Sequence, residues 1–410
     1  MISLLAKVSL PKGFSVFAAL VCFILILLEI VNHRLWLNDF RVYYDTASGL
    51  FNGSDLYGVS RGLDSGFYKY SPFVLLLFIP FTLFQFEVAA IIYYLLVVGF
   101  IFGVFILLKR LLSGELFNAE LFKKSIPFII IFLFAFGHIY RELHLGNTNM
   151  LLLMLLLLAA DLIISGKQIP AGAFLGIAIL FKPFLIILLL PVIMHKKWKA
   201  IVAFAIFMVL QFLVMILLWG PTHTLSLHVD WVSTILNHSN NSISNNSLAY
   251  LLDFYLGTGN IKYLNFIALI AVSILYLFLY FFGRQKRDRG PDISLSANEY
   301  MLLEFFLLMA VIPNILNTDT EHFLFSIPVI AVLVFYLFRK GFYAQKALLF
   351  VIFVFYGTNS NDLVGNTIGT FFDKIGAIGI ANLALLTFMI IVMFKGLAMR
   401  IKDRGKPDST

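Results

Sequence analysis

Residues that could transfer protons or bind phosphate are grouped in short polar clusters of an otherwise apolar chain. The clusters lie at residues 39–44, 68–70, 141–149, 245–247 and 319–322. Lys182 adds a cation within an apolar stretch. A carboxylate can accept the proton of a reacting hydroxyl, and cations can hold a phosphate group. The clusters therefore predict a site for a ligand that carries a phosphate.

Several of these residues also have a purely structural interpretation. Asp39 could be a solvated carboxylate at a helix end or a helix cap. Tyr43 and Tyr44 could be aromatic residues of the membrane interface. Asn147 and Asn149 could cap the helix that follows them. Each of these alternatives stays open at this point.

Lys182 is the residue least compatible with a structural interpretation. An ionisable side chain inside an apolar segment marks a functional site by default. His322 is ambiguous by itself, but it follows Asp319 and Glu321 at the start of an apolar segment. That position favours a functional role for His322.

The composition is that of an integral membrane protein. Of the 410 residues, 61% are hydrophobic and 13% are charged, whereas soluble domains contain roughly 25% charged residues. Apolar runs of about 18 to 22 residues indicate transmembrane helices, because the strands of a barrel would alternate with a period of two. We predict an all-α polytopic membrane protein with about eleven or twelve transmembrane helices.

The net charge of +8 follows the positive-inside rule and does not indicate nucleic-acid binding. The basic residues are concentrated at the ends of apolar runs, at 109–124, 196–199, 284–289, 339–340 and 400–404. The first apolar run, from about Phe14 to Val31, is too long for a signal peptide. We expect the plasma (inner) membrane, both termini in the cytoplasm and the polar clusters on the extracytoplasmic side. A lone Cys22 says little about the compartment.

The sequence predicts one integral membrane domain over residues 1–410. Its expected polar segments are a first outer loop at 33–70, a long outer loop at 220–247 and a basic cytoplasmic loop at 284–297. Two half-length helices are expected to meet at Lys182-Pro183, because proline breaks a helix and broken helices line cavities. Between Ser71 and Leu108, either residues 72–80 are re-entrant or the basic loop that follows lies outside.

The chain lacks the common motifs of soluble cofactor and nucleotide chemistry. HExxH, CxxC and a P-loop are missing from the sequence, and the GxSxG pattern at residues 58–62 lies in a polar segment without the buried strand that precedes a nucleophile elbow. We therefore expect no cofactor, while a requirement for a divalent metal stays open.

In their order, the clusters resemble those of the GT-C superfamily of membrane glycosyltransferases, and most closely glycosyltransferase family 87. That family consists of α-mannosyltransferases that depend on polyprenyl-phosphate-mannose. The motifs that carry the resemblance are Asp39-Phe-x-Val-Tyr-Tyr44, Gly53 with Tyr57, Phe67-Tyr-Lys-Tyr-Ser-Pro72, Leu145-Gly-Asn-Thr-Asn149, Ala171-Gly172, Lys182-Pro183, Asn246-Ser-Leu248 and Glu321-His322.

Two departures from the family pattern leave the sugar and the acceptor open. Gly146-Asn-Thr-Asn149 has Asn where the family has Gln, and the aromatic-acid-His element reads Asp319-Thr-Glu-His322. The first motif still has an amide at this position, and the second still has acidic residues before the histidine.

The resemblance implies a role for each site residue. Asp39 would be the general base, and Lys182, Arg141 and His322 would hold the donor phosphate. Asn149 and Asn246 would bind sugar hydroxyls. The other expected substrate contacts are Arg41, Tyr44, Tyr70, His144, Asn147 and Glu321.

The function implied is hexosyl transfer at the outer face of the membrane. A hexose, mannose by the resemblance, would pass from a polyprenyl-phosphate donor to a glycolipid or glycan acceptor with inversion. Membrane lipids are further expected partners, and nucleic acid is not. The alternatives are a secondary transporter, a lipid-linked-sugar flippase or a scaffold. The chain shows no internal repeat and its polar clusters lie on one side, which argues against these alternatives.

Overall fold

The structure is a computed structural model. It describes residues 9–50, 55–63, 66–241, 244–257, 259, 261–288, 296–316, 319–340, 343–357 and 364–404. These residues form eighteen α-helices and one two-stranded antiparallel ribbon, in which β1 (Ser60–Arg61) pairs with β2 (Gly66–Phe67). The all-α class is confirmed.

The first half of the described chain contains nine α-helices and three 3₁₀ segments. The helices are α1 (Lys12–Val31), α2 (Asn38–Leu50), α3 (Pro72–Leu75), α4 (Phe86–Glu115), α5 (Ser125–Phe134), α6 (Phe136–Leu145), α7 (Asn149–Ile164), α8 (Gln168–Phe181) and α9 (Leu189–Met194). The 3₁₀ segments are Ile79–Leu83, Ala119–Lys123 and Pro183–Leu188.

The second half adds nine α-helices and a 3₁₀ segment at Thr320–Ser326. The helices are α10 (Trp198–Trp219), α11 (Pro221–Asn241), α12 (Leu248–Leu256), α13 (Ile261–Asp288), α14 (Ala297–Ile315), α15 (Ile327–Lys340), α16 (Tyr343–Gly357), α17 (Asn366–Lys374) and α18 (Ala377–Arg404).

Six helical stretches of the described residues are long and apolar enough to cross a membrane, which makes the protein polytopic. They are Lys12–Val31, Phe86–Ser113, Trp198–Trp219, Ala297–Ile315, Thr320–Phe338 and Ala377–Phe394. The pair α5 and α6, bent by 64°, makes a seventh. Eleven or twelve crossings were expected, but much of the remaining apolar sequence forms helices of 10–17 residues, shorter than a full crossing.

The chain divides into two compact units. The first comprises Met1–Arg110 and Ile139–Ser242, and the second Leu111–His138 and Ile243–Thr410.

In the first unit, glycines allow α8 and α10 to pack closely. A Cβ at Gly172 would collide with the backbone of Ala200 and Phe204, and one at Gly176 would collide with Phe207. Small residues at such positions are typical of helix contacts in membranes, where van der Waals packing drives association.

A largely buried ion pair also links two helices of this unit. Arg110 Nε lies 2.7 Å from Asp161 Oδ1, which joins α4 to α7.

The second unit has a buried helical core with an internal polar network. The stretch Thr320–Phe338 is 94% buried, compared with 11% for Trp198–Trp219 in the first unit. The carbonyl of Ala310 in α14 accepts a hydrogen bond from Asn382 Nδ2 at 2.7 Å. Ser326 Oγ donates to Asn382 Oδ1 at 2.6 Å. These bonds satisfy polar groups that water cannot reach.

Three segments expected as loops contain helices. The segment 33–70 includes α2, and 220–247 is mostly α11. The basic segment 284–297 begins with the last turn of α13 and ends at the start of α14, and its residues 289–295 lie outside the described residues. Gly53, part of one quoted motif, also lies outside them.

The predicted helix break at Lys182-Pro183 is confirmed. Helix α8 ends at Phe181, Lys182 has an extended backbone (φ −137°, ψ 96°), and a 3₁₀ segment starts at Pro183. Residues 72–83 are likewise broken, with α3 ending at Leu75 and a 3₁₀ segment following, so no single long helix forms there.

Candidate active site

Asp39 is held by an amide whose two polar atoms both have partners. Asp39 is half-buried in the first turn of α2, where the helix dipole favours a negative charge. Asn147 Nδ2 donates to Asp39 Oδ2 at 2.7 Å. Asn147 Oδ1 accepts a hydrogen bond from Thr148 N at 2.7 Å. The second bond fixes the amide so that its amino group faces the carboxylate.

The turn that carries Asn147 packs directly against α2. Gly146 has a φ of +65°, which favours glycine. A Cβ at Gly146 would lie 2.8 Å from the Cβ of Phe40 and 3.0 Å from that of Leu37. Leu37 and Phe40 flank Asp39 in sequence and are buried. The turn therefore sets the position of the helix that bears the carboxylate.

Tyr70 joins the same turn through a chain of hydroxyl groups. Its hydroxyl lies 2.8 Å from the hydroxyl of Tyr43 and 2.8 Å from Thr148 Oγ1. Burial raises the pKa of both tyrosines above the ordinary value, so both are neutral at physiological pH. The chain can therefore donate and accept hydrogen bonds without carrying charge. Tyr57 donates to the Tyr70 carbonyl at 2.8 Å.

The third polar residue of the turn, Asn149, connects a buried carboxylate with a buried ammonium. Asn149 Nδ2 donates to Glu142 Oε2 at 2.9 Å, and Lys182 Nζ donates to Asn149 Oδ1 at 2.7 Å. Glu142 Oε1 accepts from the backbone N–H of Met150 at 2.7 Å, in the first turn of α7. Glu142 thus caps α7, and the N-cap residue Thr148 makes no side-chain cap bond, so the capping alternative for Asn147 and Asn149 is not realised.

The helix break positions Lys182 at this cluster. Its backbone N–H still bonds to Ala178 of α8, and Pro183 then starts the 3₁₀ segment. The Leu180 carbonyl accepts from Ser71 N at 3.0 Å, which fixes the start of α3 against the end of α8. The Lys182 side chain is 7% exposed, so its charge is largely removed from solvent.

Two other expected site residues, both on α2, have contacts outside this network. Arg41 forms a 3.8 Å pair with Asp45 and lies 4.4 Å from the centre of the Phe86 ring. Tyr44 donates to the Phe84 carbonyl at 2.7 Å. The contacts with Phe84 and Phe86 hold α2 against the start of α4.

Two expected site residues, Arg141 and His144, lie on α6. Arg141 is exposed. His144 Nδ1 lies 2.9 Å from Glu29 Oε1 of α1.

Asn246, in the second unit, has a structural environment. Its Oδ1 accepts from Gly379 N at 3.0 Å, and its carbonyl accepts from Asn314 Nδ2 at 3.2 Å. A Cβ at Gly379 would collide with the Asn246 backbone. Asn246 therefore ties the segment before α12 to α14 and α18.

Glu321 and His322 lie in the 3₁₀ segment that precedes α15, and both are buried. Thr320 Oγ1 donates to Glu321 Oε2 at 3.3 Å. His322 Nδ1 lies 3.1 Å from the Asp319 carbonyl, which can only accept, so Nδ1 carries the proton.

Sequence reasoning missed Glu142, Thr148 and Tyr43 as members of the network. Each is next to a residue that was selected, but none has a special type or spacing. Among the described residues, no group of three or more His, Cys, Asp or Glu side chains converges as a metal site requires.

The apolar helices define a polytopic membrane protein in which carboxylate, amide and ammonium groups are gathered at helix ends. The sequence model of glycosyltransferase family 87 matches residues 67–312, which is more than half of the chain. The chain therefore belongs to glycosyltransferase family 87, as the resemblance predicted. Asp39, Glu321 and His322 lie outside the matched residues.

Curated relatives are similar at low identity. The chain is 25% identical over 297 residues to the alpha-(1→3)-arabinofuranosyltransferase of Mycolicibacterium smegmatis, covering 71% of this chain and 66% of that protein. It is 23% identical over 299 residues to the protein of the same name from Mycobacterium tuberculosis, covering 68% and 66%. The chain thus spans slightly less than two thirds of each relative's length.

Proposed function

We propose that this protein transfers a sugar from a polyprenyl-phosphate donor to a hydroxyl group of a glycolipid or glycan acceptor. Membership of glycosyltransferase family 87 supports the reaction class. The observation that carries the proposal is the 2.7 Å contact in which Asn147 holds Asp39, because it presents a carboxylate in a fixed orientation. Family membership does not extend to Asp39, and its role rests on this geometry.

In the proposed reaction, Asp39 is the general base. The acceptor oxygen attacks the anomeric carbon and its proton passes to Asp39. The bond between that carbon and the phosphate oxygen breaks, and its electron pair leaves with the polyprenyl phosphate. A single displacement of this kind inverts the anomeric configuration. No second carboxylate is needed, because phosphate is already a good leaving group.

Cations stabilise the departing phosphate in this proposal. Lys182 is the first candidate because its ammonium is buried and held by Asn149. Both polar atoms of the Asn149 amide are bonded, which supports a role in orienting Lys182 in place of the expected sugar contact. Arg141 and His322 stay further candidates for phosphate binding.

Two donor sugars are proposed for testing. The family resemblance implies mannose, a hexose. The relatives' names favour arabinofuranose as the second candidate, since both are called arabinofuranosyltransferases. We also propose that the reaction takes place on the extracytoplasmic face, because the basic residues cluster at the opposite helix ends.

Transfer assays with Asp39→Asn test this proposal. Asparagine keeps an oxygen that can accept from Asn147, so the fold should remain while proton transfer is lost. We expect transfer to fall by about 10²- to 10⁴-fold. Membranes with equal amounts of each protein would receive radiolabelled polyprenyl-phosphate mannose, arabinofuranose or glucose and a glycolipid extract.

Asp45→Asn is the matched control, since Asp45 lies on the same helix and pairs with exposed Arg41. Its transfer rate should stay close to that of the wild type. Wild-type rates in Asp39→Asn would remove Asp39 as the base. No transfer from any of the donors would contradict the function itself.

A further inference from the structure

The second unit contains an apolar cavity between three helices. It measures about 390 Å³, within the range of small-molecule sites. Helices α5, α15 and α16 line it, with Ile130, Phe134, Leu337, Phe350 and Phe353 among the apolar residues. Lys346 is the one charged side chain among the described residues that line it.

On α15 and α16 the cavity lies near the basic ends of the helices, whereas on α5 the lining residues belong to the second half of the helix. Helix α5 begins directly after Lys123-Lys124, and α15 ends at Lys340. Lys346, in the first turn of α16, is exposed and lines the cavity, and its ammonium lies 5.8 Å from the centre of the Tyr343 ring. By the positive-inside rule, the Lys346 side of the cavity faces the cytoplasmic leaflet. An apolar space under a single cation fits an amphiphile with an anionic head group.

We propose that the cavity binds an anionic phospholipid of this leaflet, with an acyl chain between the helices and the phosphate beside Lys346. Within the second unit, the cavity is remote from His322, which is one candidate for binding the donor phosphate. His322 precedes α15, whereas Phe338 lies near its end, and 16 residues of helix span roughly 24 Å. A phosphate held at His322 therefore cannot also contact Lys346.

Native mass spectrometry of the detergent-purified protein tests the proposal. The protein is titrated with phosphatidylglycerol and with phosphatidylcholine of identical acyl chains, which differ only in head-group charge. We expect tighter binding of phosphatidylglycerol. Lys346→Gln should weaken it about fivefold, the effect of one basic residue near an anionic surface, and leave phosphatidylcholine unchanged.

Two further variants distinguish the contribution of the lipid head group to binding from that of the acyl chain. Leu133→Trp fills the cavity from its rim, where Leu133 is 41% exposed, and should reduce binding of both lipids. Lys199→Gln removes an exposed lysine from a basic helix end that does not line the cavity, and should change nothing.

Three results would overturn the proposal. They are equal affinity of the wild type for the two lipids, unchanged binding in both Lys346→Gln and Leu133→Trp, and an equal loss in Lys199→Gln. Displacement of phosphatidylglycerol by an equal concentration of polyprenyl phosphate would assign the cavity to the lipid of the donor.

Discussion

Two carboxylates of the first unit have different surroundings. Asp39 is half-buried and held by one amide, whereas Glu142 is completely buried and accepts from Asn149 and from the backbone of Met150. A carboxylate that must exchange a proton with a substrate needs access to it. The burial and bonding of Glu142 instead suit a residue that holds Asn149, and through it Lys182.

Replacing Glu142 with Gln should destabilise the protein. Gln has one acceptor oxygen and one amino group, so a donor would face either Asn149 Nδ2 or the Met150 N–H. A buried donor left without an acceptor costs about 1–3 kcal/mol. We expect a lower apparent Tm in detergent and weaker transfer, because Asn149 would no longer present its oxygen to Lys182.

The matched control is Glu120→Gln. Glu120 forms an exposed pair with Lys123, and such pairs contribute little to stability. An unchanged Tm in Glu142→Gln would show that the buried bonds of Glu142 are not needed for stability.

The sequence predicted part of this network because some residue types are unusual in their setting. Lys182 inside an apolar stretch and Asp39 after the first long apolar run were both selected. Glu142 was not, because a glutamate near arginine and histidine has the appearance of a solvated residue. Only the fold shows that Glu142 faces Asn149, seven residues further along the chain.

At the scale of elements, the turn between α6 and α7 sets the geometry of the site. Gly146→Ala should therefore impair both stability and transfer. Alanine at φ +65° is strained, and its Cβ would press on Leu37 and Phe40 of the segment that bears Asp39. Together we expect a loss of about 2–5 kcal/mol in stability. Apparent Tm and transfer rate are the measurements.

Gly166→Ala separates backbone strain from this collision. Gly166 has a φ of +78°, and a Cβ there would meet nothing within 4 Å. We expect a smaller loss of stability, about 1–2 kcal/mol, with normal transfer. Equal effects of the two variants on transfer would mean that contact with α2 does not set the position of Asp39.

The contact between α8 and α10 gives a second prediction for elements. Gly172→Ala should lower the apparent Tm, because the new Cβ would collide with the backbone of Ala200 and Phe204 and force the helices apart. Gly99→Ala is the control, since Gly99 is also helical and has open space around it. It should leave Tm unchanged or raise it slightly. A tolerated Gly172→Ala would show that these helices can separate at little cost.

Elements were predicted best where proline or long apolar runs decide the structure. The break at Pro183 follows from the missing N–H and the fixed φ of proline. The segment of α11 was predicted to be a loop because its many polar residues obscured the helical spacing of its apolar residues. Leu225, Val229, Val232 and Leu236 recur at helical spacing and are exposed. Short apolar helices likewise looked like full crossings, because hydropathy does not show where a helix ends.

At the scale of the whole molecule, the distribution of charge predicts which helix ends face the cytoplasm. Basic residues follow α4, precede α10 and end α15. Asp39 and the ribbon of β1 and β2 follow the first crossing, α1. The positive-inside rule therefore assigns the Asp39 end to the extracytoplasmic face.

Cysteine labelling of intact cells tests this orientation. The chain has one cysteine, Cys22, which is 2% exposed and should give little background. A membrane-impermeant maleimide should label Leu63→Cys, in the exposed turn between β1 and β2, because that turn follows α1. Lys199→Cys, at the basic start of α10, should react only after the cells are opened. The reverse pattern would place Asp39 in the cytoplasm, and transfer would then have to use acceptors presented at the inner leaflet.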